Sequence, residues 1–485
     1  MSGKELITVD CSIGATTGFI DSKYPRVAQF LGVPFAEPPT GPRRWLPPVP
    51  KAPVASIDAT EFGPSCPQVV DVFKTTYNTD VREFVINDAT SEDCLSLCIW
   101  TPVAAVNKAQ GTASALPVIV WVTGGAYLGG GNTVPYQNPA PWVESSQRHI
   151  VVSINYRLNI FGFPNAAGLP LTEQNLGTLD QRLGLEWVHK HIGAFGGDPD
   201  RLTYWGQSAG ARSVDCHGFS YADNSLVRGV ILNSGAALLP LNVNDPTHSH
   251  FSFVAKSLGF PGGDAAAELD FMRQQPAERL TKFREEHTKT GAEPILRFQP
   301  IVDGRTELEC EDYEARLRDG RFSKVPVIIG TTADEGNSLV PYNPESCDVE
   351  ASRKLTKMIF DDPADKTISL RSKHTPIFRY LYQDPAAPSE SSFPNISPRP
   401  WMRAYHSSEL PLIFGTHDLF RGESTEQEYK LSRAWQDLYL AFAEDGAEGL
   451  RAKGWLDVSQ GKAVIFGSGD QGWELVDSKE LTRKE

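Results

Sequence analysis

One serine in this chain stands in a setting that favours nucleophilic chemistry. Ser208 is the central residue of a Gly-Gln-Ser-Ala-Gly sequence at 206–210, which follows a predicted short strand, 201–205, and precedes a predicted helix start, 211–216. A turn of this kind holds the serine in a strained backbone conformation, so the positions two residues away on either side must lack a bulky Cβ. The pattern predicts a nucleophilic serine at a strand-to-helix turn. An ordinary glycine turn remains the alternative for the motif taken alone.

A second segment could supply the hydrogen-bond donors that acyl transfer needs. When a nucleophile attacks an ester carbonyl, negative charge develops on the carbonyl oxygen, and N–H groups held in place must meet it. The residue after the serine, Ala209, is one candidate donor. A glycine-rich segment after the predicted strand 117–122 offers Gly125 and Ala126 as the others. A tight glycine turn without a catalytic role is the alternative for this segment.

The elements that must position these residues indicate an α/β fold with a parallel sheet. Several apolar runs are continuous, which is typical of strands buried on both faces. These runs are 117–122, 150–154, 227–232, 325–329 and 463–466. Between them lie segments of helical spacing, such as 178–192, where apolar residues recur every four positions. We therefore expect a large central, mostly parallel sheet flanked by helices, with a small antiparallel extension formed by the first hundred residues.

Composition and charge disfavour several classes of partner. The 485-residue chain has a formal net charge of −14, so neither nucleic acid nor an anionic membrane surface is an expected partner. No run approaches the ~18 consecutive apolar residues of a membrane span, and the first residues lack the apolar core of a signal peptide. Seven cysteines do not suggest a scaffold held by disulfides. We expect a cytoplasmic protein, or a secreted one if a signal peptide is missing from this sequence.

Beyond these patterns, the sequence resembles the type-B carboxylesterases, a family that includes cholinesterases and fungal lipases. The resemblance covers most of the chain and rests on motifs that follow the family's order. They are Gly-Val-Pro-Phe-Ala-Glu-Pro-Pro at 32–39, Ser-Glu-Asp-Cys-Leu at 91–95, Asn-Tyr-Arg at 155–157, Phe-Gly-Gly-Asp-Pro at 195–199, the serine motif at 206–211, Phe-Gln-Pro-Ile-Val-Asp-Gly at 298–304 and Tyr-His-Ser-Ser-Glu-Leu-Pro at 405–411. The resemblance implies a single α/β-hydrolase domain over 1–485, with helical insertions.

The resemblance also implies the partners of the serine. An Asp-Glu-Gly triplet containing Glu335 resembles the family's acid loop, and His406 stands where the family has its catalytic base. The order of nucleophile, acid and histidine is that of α/β-hydrolases. Asp334 is an alternative acid, and His217 is a rival base on a different element. The implied chemistry is attack by Ser208, with His406 as base, Glu335 as orienting acid and water as acyl acceptor, without a metal or organic cofactor.

Two further pairs of residues match structural features of the family. Cys66 and Cys94 match a disulfide that closes a loop over the mouth of the active site and would form in an oxidising setting. Arg44 and Glu92 match a charge pair that the family buries. We expect both pairs to serve the fold.

Four positions depart from the family pattern. Thr123 stands where many relatives have His or an aromatic residue, and Ala126 where many have Gly. Gln207 replaces the Glu that usually precedes the nucleophile, which removes a negative charge beside the serine. Arg212 replaces a small residue, and the sequence offers no reason for it. A choline ester also needs an aromatic cage, and the segment before the 91–95 motif has Phe84 and no Trp, so a cholinesterase is disfavoured.

The sequence therefore predicts a carboxylic ester hydrolase that acts on a neutral ester or lactone of small to medium size. An acyltransferase or a lactone-forming enzyme is an alternative, because either would use the same residues with an alcohol in place of water. A non-enzymatic binding protein is disfavoured, because the non-enzymatic members of the family generally lack the nucleophile, the base or the acid.

Overall fold

One sheet of thirteen strands runs through the computed structural model, which describes residues 3–109, 115–241, 245–386 and 390–481. The strands are β1 (Glu5–Cys11), β2 (Gly14–Ile20), β3 (Val27–Pro34), β4 (Ser56–Asp58), β5 (Ser96–Pro102), β6 (Leu116–Val122), β7 (Ile150–Ile154), β8 (Gly197–Gln207), β9 (Gly229–Asn233), β10 (Val327–Thr332), β11 (Ile377–Tyr382), β12 (Lys462–Phe466) and β13 (Trp473–Asp477). Their order is β1-β2-β3-β5-β7-β6-β8-β9-β10-β11-β12-β13, and β4 pairs with β2.

The sheet is parallel at its centre and antiparallel at both ends. The seven central strands run parallel to one another, in the order β7, β6, β8, β9, β10, β11 and β12. On one side β1, β2, β3 and β5 are antiparallel, and β5 joins them to β7; on the other side β13 is antiparallel to β12. The predicted parallel sheet is confirmed, and the predicted antiparallel extension continues that same sheet.

Fourteen α-helices occur within the described ranges. They are α1 (Thr76–Thr79), α2 (Val103–Ala109), α3 (Ala140–Ser146), α4 (Asn159–Gly162), α5 (Leu176–His191), α6 (Ala209–Ser220), α7 (Ser249–Ser257), α8 (Ala265–Arg273), α9 (Ala277–Thr290), α10 (Cys310–Asp319), α11 (Val349–Leu355), α12 (Asp362–Arg371), α13 (Leu410–Phe414) and α14 (Glu426–Ala452). Helices α7 to α10 form an insertion between β9 and β10. None of the helices in this part of the chain has both the length and the apolar character that crossing a bilayer would require.

Alternate residues of the central strand β6 enter two different apolar cores. Val120 belongs to the core that also holds Leu185 of α5. Its neighbour Trp121 belongs to the core that holds Trp142 of α3 and Trp435 of α14. Because successive side chains of a strand point to opposite faces, helices cover the sheet on both sides.

The predicted site residues follow the carboxyl ends of the parallel strands. Ser208 comes directly after β8, Glu335 three residues after β10, and the glycine-rich segment directly after β6. Carboxyl ends of parallel strands lie at the same edge of a sheet, which is where open α/β folds bind ligands. The topology therefore brings these segments together, and the loop before α13 adds His406.

Candidate active site

Ser208 lies in the sharp turn between β8 and α6, with φ 57° and ψ −123°. This left-handed region is unusual for a residue with a side chain. A Cβ on Gly206 would lie 2.3 Å from the backbone carbonyl carbon of Gly210, and a Cβ on Gly210 would lie 2.2 Å from the carbonyl oxygen of Val122. Both positions must therefore be glycine for the turn to form. The Ser208 N–H donates to the carbonyl of Asn233 at 2.8 Å, which ties the turn to β9.

A buried histidine–glutamate pair lies at the same edge of the sheet. His406 Nδ1 is 2.5 Å from Glu335 Oε2, and the Glu335 side chain is fully buried. The other carboxylate oxygen, Oε1, accepts the N–H of Thr332 at 2.8 Å. Asp334, the alternative acid, lies instead near Arg403, with 3.7 Å between Oδ2 and Nε. The structure thus brings Glu335 to the imidazole.

His217, the rival base, is held elsewhere. It lies on α6 with its Nε2 3.1 Å from Nη1 of Arg182, and its ring packs against Tyr204 and Tyr221. Burial, with the charge of Arg182 adding to it, lowers the pKa of His217 to about 3. A histidine that stays neutral in this packed position serves the interior of the protein.

The second nitrogen of His406 faces the residue before the serine. Gln207 Nε2 is 3.0 Å from His406 Nε2, and both side chains are buried. With the amide as donor, Nε2 accepts and Nδ1 carries the proton donated to Glu335, which is the tautomer that a general base needs. Ser208 and His406 line one cavity, and within the described residues no hydrogen bond joins their side chains. Catalytic hydrogen bonds often form only when substrate is bound.

The glycine loop, residues 123–131, is folded on itself by its own backbone. The Gly125 carbonyl accepts the N–H groups of Leu128 at 2.9 Å and Gly129 at 3.2 Å. In a planar trans peptide the following N–H points opposite to the carbonyl, so the Ala126 N–H is directed away from this turn. The Ala126 carbonyl accepts from Gln299 Nε2 at 3.0 Å. These bonds fix the orientation of the peptide that carries the Ala126 N–H.

The three residues predicted to donate N–H groups to the carbonyl oxygen of the substrate, Gly125, Ala126 and Ala209, lie around the serine. Gly125 and Ala126 line the same cavity as Ser208. Ala209 is the first residue of α6, and the first four N–H groups of a helix have no partner within it. The helix dipole also favours negative charge at this end. The arrangement can therefore stabilise an anion next to the Ser208 side chain.

The cavity itself has a volume of about 320 Å³. Apolar and aromatic side chains form much of its wall, namely Val69, Val70, Tyr77, Phe84, Val85 and Leu339. Polar groups come from Gln68, Thr123, Gln137, Gln207 and Ser407. Among the described residues that line it there is no Asp, Glu, Lys or Arg, so the substrate would meet no fixed ionic partner.

A second carboxyl group beneath the site was not singled out from the sequence. Glu409 is fully buried, and its Oε1 accepts from Asn233 Nδ2 at 3.2 Å. Burial, together with the negative charge of Glu335, raises the pKa of Glu409 to about 8. The sequence could have indicated Glu409, because it lies three residues after His406 in the 405–411 motif that carries the family resemblance.

The structure also explains the departure at Arg212. Its guanidinium makes two 2.5 Å contacts with the carboxylate of Glu307, and both side chains are buried. Its Nε donates to the carbonyl of Leu239 at 3.0 Å. Arg212 therefore anchors the start of α6 to the segment after β9 and to the segment before α10.

Both structural pairs that the resemblance implies are present. Cys66 and Cys94 form a disulfide with 5.1 Å between their Cα atoms. Arg44 Nη2 lies 2.5 Å from Glu92 Oε2, with both side chains largely buried. Over the described part of the chain, no group of three or more His, Cys, Asp or Glu side chains is placed to hold a metal ion.

Comparison with known proteins gives consistent matches over the full fold. The profile of the carboxylesterase family matches residues 5–354 and 342–480. Chlorogenic acid esterase of Aspergillus niger is 38% identical over 446 residues, which are 92% of this chain and 84% of that protein. Para-nitrobenzyl esterase of Bacillus subtilis is 31% identical over 470 residues, 88% of each. A solved structure of PNB esterase superposes with a TM-score of 0.78 at 27% identity, covering 98% of this chain and 97% of that one.

Proposed function

The chain belongs to the carboxylesterase family and is a carboxylic ester hydrolase, and we propose that it cleaves neutral esters through an acyl-enzyme on Ser208. The observation that carries this proposal is the Glu335–His406 pair, joined at 2.5 Å, whose histidine lines the same cavity as the strained serine. Fold and family support ester hydrolysis as such. The assignment of individual residues and of the substrate class rests on the geometry of this cavity.

The steps follow from the roles that the side chains can take. Ser208 Oγ attacks the ester carbonyl while His406 Nε2 accepts its proton, and the carboxylate of Glu335 stabilises the imidazolium. The N–H groups of Gly125, Ala126 and Ala209 meet the negative charge on the carbonyl oxygen. The imidazolium then protonates the leaving alcohol.

Deacylation repeats these roles with water as nucleophile. His406 takes a proton from water, which attacks the acyl-enzyme, and returns that proton to Ser208 Oγ as the acid leaves. Before His406 can accept a proton from Ser208 or from water, the hydrogen bond between Gln207 and His406 Nε2 must break, because this nitrogen accepts one proton at a time.

The lining of the cavity supports a neutral substrate with an apolar or aromatic group. Tyr77 and Phe84 present aromatic rings, and Val69, Val70 and Leu339 add aliphatic surface. One relative is named for a para-nitrobenzyl ester, which carries an aromatic ring. Gln207 stands beside Ser208 where a carboxylate would attract a cation. A quaternary ammonium group would therefore lose hydration here without gaining an ionic partner.

A pair of isosteric substrates tests this substrate class. We expect butyrylcholine to show no advantage in kcat/KM over 3,3-dimethylbutyl butyrate, and nitrophenyl esters of graded chain length to locate the preferred acyl group. Ser208→Ala is the control that must abolish all of these activities. A preference for the cation above about tenfold, worth roughly 1.4 kcal/mol, would contradict a neutral binding site.

A further inference from the structure

The loop closed by the disulfide touches the glycine loop through one side chain. Gln68 lies in this disulfide loop, residues 66–94, two positions after Cys66, and is 7% exposed. Its Oε1 accepts the Gly130 N–H at 2.9 Å, and its Nε2 donates to the Gly130 carbonyl at 2.8 Å. The same Nε2 donates to the carbonyl of Cys66 at 3.1 Å. One amide therefore binds both backbone groups of Gly130 and connects them to the disulfide.

Gly130 needs an external partner because the chain around it has little conformational restriction of its own. It lies in a run of three glycines, 129–131, and has a φ of +107°. Glycine populates positive φ readily and restricts the backbone least. No side chain within the run can hold it in one conformation, so the Gln68 amide supplies the restriction.

Fixing Gly130 also fixes the peptide that carries a proposed oxyanion donor. Gly129, its neighbour, donates its N–H to the Gly125 carbonyl, and that carbonyl belongs to the same planar peptide as the Ala126 N–H. If the chain at 129–130 moves, this hydrogen bond weakens, and the peptide is held at its carbonyl only by the Leu128 N–H, so its orientation is less restricted. The route from Gln68 to Ala126 is thus a short series of backbone hydrogen bonds.

A second residue, Asn159, connects the disulfide loop to the neighbouring part of the glycine loop. Asn159 Nδ2 donates to the carbonyl of Pro67 at 2.7 Å, and the Asn159 N–H donates to the carbonyl of Tyr127 at 2.8 Å. The disulfide loop therefore stays close to the glycine loop when Gln68 is replaced. The replacement then removes the two bonds to Gly130 and the bond to the Cys66 carbonyl, and the disulfide still holds Cys66 in place.

We propose that Gln68 is a positioning residue for ester hydrolysis, holding the glycine loop so that the Ala126 N–H meets the oxyanion of the transition state. The proposal rests on the proposed function of the site. Charge on the carbonyl oxygen exists mainly in the transition state, so misplacing the donor lowers kcat more than it raises KM. A displacement of about 1 Å can cost about 10²-fold in rate.

The chain contains a matched control for this residue. Gln174 is 1% exposed; its Oε1 accepts the Ala166 N–H at 2.9 Å, and its Nε2 donates to the carbonyls of Ala166 at 2.8 Å and Leu169 at 3.1 Å. The pattern is the same as at Gln68, on a loop outside the cavity. Methionine has a similar length and shape without the amide, so Gln68→Met and Gln174→Met remove equivalent bonds.

The experiment compares these two variants of the full-length enzyme on a neutral nitrophenyl ester. We expect Gln68→Met to lower kcat by about tenfold or more with KM changed by less than about threefold, since one oxyanion donor is worth about 10²–10³ in kcat. Gln174→Met should keep kcat within about twofold, and both should lose similar amounts of thermal stability. Inhibition by a trifluoromethyl ketone, which forms an oxyanion on the nucleophile, should weaken in parallel with kcat/KM for Gln68→Met alone.

Each outcome decides the proposal. Wild-type kcat and inhibition in Gln68→Met, or equal losses in both methionine variants, would overturn it. If Gln68→Met fails to fold, Gln68→Asn keeps an amide that is one methylene too short to reach Gly130, and it must show the same selective loss of kcat. Ester hydrolysis that is absent from the wild type, or unchanged in Ser208→Ala, would instead refute the proposed function, and this comparison comes before that of the glutamine variants.

Discussion

Glu335 and Glu409 are both fully buried near the candidate base, yet their surroundings offer different hydrogen-bond partners to the two carboxyl groups. Glu335 accepts an N–H from the backbone and contacts the imidazole of His406, so its negative charge is compensated. Glu409 receives one hydrogen bond from Asn233, and within the described chain its Oε2 has no partner. With a pKa raised to about 8 by burial and by Glu335, Glu409 is mostly neutral at pH 7.

Replacing each of these glutamates by glutamine should separate their roles. Glu335→Gln removes the charge that stabilises the imidazolium, and we expect kcat to fall by about 10³–10⁴. Glu409→Gln resembles the neutral carboxyl that is already present, so kcat at pH 7 should stay within about threefold. Asp334→Asn should also be mild, because Asp334 lies near Arg403 and not at the imidazole. Equal losses in Glu335→Gln and Glu409→Gln, with both proteins folded, would show that Glu409 is charged or catalytic.

Among the elements, the turn between β8 and α6 leaves little room for change. The glycines on either side of Ser208 are packed against backbone atoms, which cannot move as the end of a flexible side chain can. The sequence predicted this turn correctly as a strand-to-helix junction, since the motif is local. Sequence patterns also located the parallel strands other than β11, because most of them are continuous apolar runs.

The elements and contacts that escaped prediction depend on distant residues. Strand β11, residues Ile377–Tyr382, is interrupted by Arg379, whose charge is compensated by Asp365 of α12. The partner of Arg212 lies 95 residues away, and Gly130 lies 62 residues from Gln68. No local pattern contains such pairs, so the roles of these two side chains appear only in the folded structure.

The turn can be tested by adding one methyl group. Gly210→Ala places a Cβ 2.2 Å from the Val122 carbonyl oxygen, and we expect a loss of about 1–3 kcal/mol or more in the free energy of unfolding, with activity reduced because the turn that carries Ser208 shifts. Gly193→Ala is the control, because a Cβ there meets nothing within 4 Å. Urea unfolding of both variants gives the comparison. Similar stabilities for Gly210→Ala and Gly193→Ala would mean that Gly210 is not packed closely against the Val122 carbonyl.

For the whole molecule, the formal net charge of −14 contrasts with the uncharged lining of the cavity in the described residues. The acidity belongs to the protein as a whole and favours solubility, whereas the cavity determines selectivity. Several buried groups also titrate differently in the folded and unfolded states. Burial lowers the pKa of His149 to about 3 and that of His417 to about 4, as it does for His217 at about 3.

The lowered pKa values of these histidines predict how the stability of the protein responds to acid. An unfolded histidine has a pKa near 6.5, so the stability tied to each buried neutral ring is fully present above about pH 6.5 and is lost as pH falls toward the folded value. Glu409 opposes this, because its raised pKa removes stability as pH rises from about 4.5 toward 8. Burial also lowers the pKa of His191, which adds to the histidines, and it raises the pKa values of Asp365 and Glu428, which act with Glu409. The histidines have unfolded pKa values inside this window, so we expect Tm to fall between pH 6.5 and 5. His217→Gln, which keeps an acceptor for Arg182, should show a smaller fall, and an unchanged slope would contradict the assignment.

Covalent labelling tests the central claim, that Ser208 is the nucleophile of an ester hydrolase, most directly. A fluorophosphonate reacts with a serine only when a base and an oxyanion site activate it. Peptide mass spectrometry should find one phosphonylated residue, Ser208, in native protein and none after denaturation. Labelling should inactivate the enzyme in proportion to its extent, and Ser208→Ala should take up no label while losing about 10⁴-fold or more in kcat. A label on another serine, or full ester hydrolysis by folded Ser208→Ala, would contradict the account.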